Sequence, residues 1–190
     1  MLGQFASAII ALQGMFRLIA FQPNWEWHFD MSMRGFWGSF GAALFTLPIF
    51  FLFIACQRYF GADTDLGQYL VIYIALWISY PLTAAGVVIV SNRQDAYVPW
   101  IVLHNWSFMA RYLIITSIWL LYVAGVIDRD MLALLATFYV FILRPIIHWR
   151  VAVVALGVPA GQGALAAAIP TLIDLMLVEG LIQFFEASAG

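Results

Sequence analysis

Five long apolar stretches, joined by short polar segments, set the pattern of this chain: residues 35–57, 68–90, 98–127, 131–149 and 163–185. A helix rising 1.5 Å per residue crosses a hydrocarbon core of about 30 Å in about 20 residues, so each stretch predicts one bilayer-crossing helix. The first two carry no charged residue. Gly35, Gly38, Gly41 and Ala42 give the first a smooth side for close helix contact. Pro48 and the Tyr80-Pro81 step predict kinks in the first and second. The third is longer than one straight crossing needs. It reads either as a tilted helix or as an interfacial piece, 98–106, leading into a span that begins at Ser107.

Ahead of these lies a different pattern. Phe5, Ile9, Leu12, Phe16 and Ile19 recur at three- and four-residue steps, with Ser7, Gln13, Gly14 and Arg17 mostly on the other side. Residues 1–22 therefore predict an amphipathic helix, lying in the headgroup region or packed on the rest of the protein. Pro23 ends it, and Trp25, Trp27 and His28 have the mixed chemistry of a membrane interface. Asp30 or Ser32 is placed to cap the first span. The expected fold class is all-α: a single polytopic membrane domain of five transmembrane helices preceded by an N-terminal amphipathic interfacial helix.

Composition sharpens the picture. The chain is 65% hydrophobic and 9% charged, against roughly 25% charged in soluble domains, with a mean hydropathy of +0.96. All eight basic residues are arginine, which we read as the base composition of a GC-rich bacterial genome. They are dispersed and the net charge is −2, which argues against a nucleic-acid partner. Cys56 is the only cysteine, so no intramolecular disulfide or cysteine-based metal site exists, and an inert buried thiol is expected. No cleaved signal peptide is recognised at the start. Arg17, Arg34, Arg93, Arg144 and Arg150 fall on one side of a five-span topology, and Arg58 and Arg129 on the other. Asp63, Asp65, Asp128, Asp130 and Glu186 also fall on that second side. The bias predicts a bacterial inner-membrane protein with a cytoplasmic N-terminus and an external C-terminus.

Candidate chemistry lies in the polar residues inside the spans. Ionisable groups at bilayer depth cost roughly 2.5–3.5 kcal/mol on insertion scales and normally have a partner. Arg111 and Asp174 fall at about 20 Å and 16 Å along the third and fifth spans, which predicts an intramembrane Arg111–Asp174 pair. His104, Asn105, Glu179 and Tyr80 are candidates for a polar pocket beside it. Two readings compete: the pair fixes helix packing, or it belongs to a proton or ion path. His28, His104 and His148 have no metal-site spacing, so no metal or other cofactor is expected. No nucleophile, phosphate-loop or zinc-protease motif occurs, and no catalytic residue is assigned. Trp100, Trp106, Trp119 and Trp149 read as interfacial anchors.

The segments QYLVIYIALWISYPLTAAGVV, VPWIVLHNWSFMARYLI and RPIIHWRVAVVALGVPAGQGALAAAI resemble the Yip family of five-span membrane proteins. Eukaryotic members of that family interact with small Rab-type GTPases. The chain is also similar to bacterial inner-membrane proteins that share the FDMSMRGFWGSF-type entry to the first span. The resemblance implies a protein that works through partners and carries over no catalytic residue. The expected function is that of a non-enzymatic accessory or assembly subunit, or a membrane-organising interaction protein. The alternative is a small carrier or channel subunit. Expected partners are membrane lipid and another integral membrane protein or complex, with a homo-oligomer as a further possibility.

Overall fold

The computed structural model describes residues 2–61 and 65–189, in which every regular element is helical. The expected loop residue Asp63 and the side chain of Phe5 lie outside the described residues. Helix α1 (Leu2–Ile19) is followed by α2 (Met33–Ser39) and α3 (Gly41–Tyr59), which meet at Phe40 and together form one span. Then come α4 (Leu66–Val90), α5 (Tyr97–Val123), α6 (Arg129–Phe138), a π turn (Tyr139–Leu143), α7 (Arg144–Leu156) and α8 (Ala160–Ala189). Five spans are long and apolar enough to cross a membrane: Met33–Tyr59, Leu66–Val90, Gln94–Val123, Arg129–Leu156 and Ala160–Ala187. This is the architecture of an integral membrane protein.

Local chemistry sets the span entries. The Ser32 hydroxyl accepts from the Gly35 N–H, Asp65 from Gln68 and Asp128 from Met131, so three helices start on side-chain caps. Asp30 accepts in turn from the Ser32 N–H. Gly35 is required there, because a Cβ would collide with the Asp30 carbonyl. Gly157, at φ 60°, closes α7 with the left-handed residue that a helix C-terminus favours.

The bundle is built around α5. Every residue from Trp100 to Arg111 is buried, the mark of a helix surrounded on all sides. It packs on α1, α2, α3, α4, α6 and α7, while α8 closes the bundle against α4 and α7. The third span is thus one helix through residues 98–106. Because its first half is the core, Trp100 and Trp106 are buried rather than interfacial, at 0% and 8% exposure. Cys56 is buried, as expected.

Two expectations change in register. Helix α1 buries Ala8, Ala11, Met15 and Leu18 against its neighbours, whereas Ile9 and Phe16 of the expected stripe face outward. Leu12 and Ile19 of the same stripe pack on the bundle from its edge, so the stripe is divided between the protein and the outside. The fourth span continues to Leu156, past the expected end at residue 149. Arg144 consequently sits mid-span, about 18 Å from Leu156, and not at a membrane exit.

A buried polar centre and a lateral groove

The first half of α5 brings polar groups from four spans into one layer. Arg111 lies 14 residues past Tyr97 and Asp174 lies 14 residues past Ala160, so both reach about 21 Å from the same side. Both are buried, with 6% and 5% exposure. Their direct partners are nevertheless different residues. Arg111 donates through Nη1 to Nε2 of His148 at 2.5 Å and through Nε to the Ser107 carbonyl at 3.3 Å. Asp174 accepts a short hydrogen bond from the Ser79 hydroxyl. Arg111 and Arg144 act on Asp174 electrostatically from further away. Because a guanidinium only donates, Nε2 of His148 must be the ring nitrogen without a proton.

The remaining candidates divide. Tyr80 stacks on His104, with ring centroids 3.2 Å apart and planes at 13°, and His148 lies 5.7 Å from His104. Asn105 turns to the other side of α5, where its amide donates to the Ser39 hydroxyl at 2.9 Å. Glu179 does not join any pocket: it is exposed and accepts from Gln183. Five residues separate it from Asp174, which places it on the far side of α8, about 28 Å from Ala160.

Three participants were missed from the sequence. His148 and Tyr139, whose hydroxyl donates to the Arg111 carbonyl at 3.1 Å, lie within the expected fourth span but were not read as part of the polar centre. Arg144 and His148, four residues apart, were the available signal for a polar face on α7. Ser79 carried no signal, since a span serine usually bonds its own helix.

The assembled centre has donors, acceptors and one carboxylate, and its members lie at or near the interior. The Tyr80 hydroxyl, His104 Nδ1 and Arg111 Nη2 have no hydrogen-bond partner among the described residues. No group of three metal-ligating side chains occurs among them either.

On the other side of α5 a cavity of about 890 Å³ opens between α1, α2–α3 and α5. His28, Asp30 and Arg34 stand at one end, and Leu44, Pro48 and Met109 line the other. Hydrogen bonding with Ser32, with Arg34 nearby, holds the Asp30 carboxyl below its ordinary value of 3.8.

In comparisons with known proteins, no family model, curated protein or solved structure matches this chain.

Proposed function

We propose that the protein is a non-enzymatic integral membrane protein that acts as a binding or assembly subunit within the bilayer. The observation that carries this reading is the contrast between the two sides of α5. The polar centre is enclosed by packed helices, with Tyr80, His104, Arg111 and Asp174 all at 6% exposure or less, which suits a role in fixing the helices. The opposite side offers an open apolar groove, the kind of surface that receives another molecule. The resemblance to Yip-family proteins points the same way, toward function through partners.

A bacterial inner-membrane location with a cytoplasmic N-terminus belongs to the same proposal. With Arg144 inside its span, Arg17, Arg34, Arg93 and Arg150 remain near one side and Arg58 and Arg129 near the other, a bias that still supports this orientation.

A carrier or channel subunit is the second reading. It is favoured by the three unpartnered polar atoms at Tyr80, His104 and Arg111, which could pass a proton between stations. Gentle detergent extraction and reconstitution separate the two. An assembly subunit migrates within a larger membrane complex and leaves a liposome proton gradient intact. A free oligomer that dissipates the gradient, and stops doing so as Asp174→Asn, overturns the proposal.

A further inference from the structure

We infer that the groove between α1, α2–α3 and α5 is a binding site for one phospholipid with a primary-ammonium, zwitterionic headgroup. This goes beyond the assembly reading and stands or falls on different measurements.

The shape fits an acyl chain held against the protein. The cavity, about 890 Å³, lies within the 300–1,000 Å³ typical of small-molecule sites. Its charged end is where the chain enters the first span at Met33, and its inner end includes Pro48, 15 residues further on. That spacing gives a reach of about 22 Å, more than one leaflet of a hydrocarbon core of about 30 Å. The wall on the α2–α3 side is lowered by Gly38 and Gly41, at which an added Cβ would meet nothing within 4 Å. The groove is thus open because side chains are absent at these two positions.

The mouth selects the headgroup. Arg34 lines this end, exposed and within electrostatic reach of Asp30, and its planar fork of donors suits a phosphate. Asp30 accepts from the Ser32 N–H and interacts with the Ser32 hydroxyl, and its two carboxylate oxygens retain acceptor capacity for an ammonium N–H. The two lie four residues apart at the same end of the cavity, one of each sign. A zwitterionic headgroup satisfies both. An anionic headgroup would face Asp30, and a quaternary ammonium has no N–H to donate. The apolar face of a partner helix or of a second copy would offer this end neither a phosphate for Arg34 nor an ammonium for Asp30.

The test uses the full chain in discs of phosphatidylethanolamine, phosphatidylcholine and phosphatidylglycerol in equal parts, extracted gently and examined by native mass spectrometry. The expected result is one retained phosphatidylethanolamine per chain, with Gly41→Leu and Gly38→Leu reducing retention about tenfold or more. Both substitutions raise helix propensity, and helical content by circular dichroism serves as the folding control. Arg34→Gln and Asp30→Asn should each lower retention severalfold and narrow the headgroup preference. Equal retention of all three lipids, retention unaffected by Gly41→Leu, or a dimer that Gly41→Leu dissociates would each overturn the assignment. A failure of the carrier or assembly assays would leave this result untouched.

Discussion

Asp174 shows how a buried charge is held when its expected partner is occupied elsewhere. A carboxylate at this depth needs hydrogen-bond donors as well as a countercharge. Ser79 supplies the donor, while Arg111 and Arg144 act from further off. Ser79→Ala should therefore destabilise the protein by about 1–3 kcal/mol. In a cycle with Asp174→Asn, read by unfolding in detergent, the two effects should be non-additive by about 0.5–3 kcal/mol. Strict additivity would mean that the hydrogen bond contributes nothing. Outside the membrane, Asp30 has a lowered pKa, so its contribution to the α2 entry is complete above 3.8 and is lost as pH falls below that value. The stability difference between the natural protein and Asp30→Asn should accordingly be the same at about pH 5 and about pH 8, and should shrink only in stronger acid. A difference that grows between pH 5 and 8 would contradict the assigned hydrogen bonding.

Among the elements, α1 separates what periodicity can tell from what packing decides. Its three- and four-residue steps were legible, but they left open whether the stripe of large side chains faces acyl chains or the rest of the protein. In the folded chain the face of Ala8, Ala11, Met15 and Leu18 meets the bundle. Ala8 and Ala11 let the helix approach closely, and Met15 and Leu18, both at 0% exposure, fill the space between it and the bundle. Met15→Ala should then cost about 2–5 kcal/mol, whereas Ile9→Ala, 58% exposed, should stay within about 0.5 kcal/mol. Thermal unfolding in matched detergent distinguishes them, and equal effects would refute the assigned face. The π turn at Tyr139–Leu143 was not legible at all. It precedes Pro145, which cannot donate a backbone hydrogen bond and crowds the preceding turn, so the extra residue in the turn accommodates it. It also places Tyr139 against the Arg111 carbonyl. Tyr139→Phe should cost about 1 kcal/mol, and less in a Pro145→Ala background, where the turn can revert to α-helix. An undiminished cost there would uncouple the turn from that contact.

At the scale of the whole molecule, five spans and the central place of the third could be read from hydrophobic runs and from the polar groups set into one of them. The partners of those groups could not. Arg111 and Asp174 were read as a pair from their similar depth, yet depth says nothing of angle around a helix, and their hydrogen-bond partners are His148 and Ser79. The account rests on α5 being the dry centre of the bundle, with its polar groups closed off from water. Aqueous thiol labelling of Ser79→Cys and Ser107→Cys, near-isosteric changes made in a Cys56→Ala background and assayed in native membranes, tests this most directly. The account predicts that both stay unmodified by a small water-soluble reagent until the protein is unfolded. Rapid modification of either one from one side of the membrane would show a water-filled path to the centre and would contradict it.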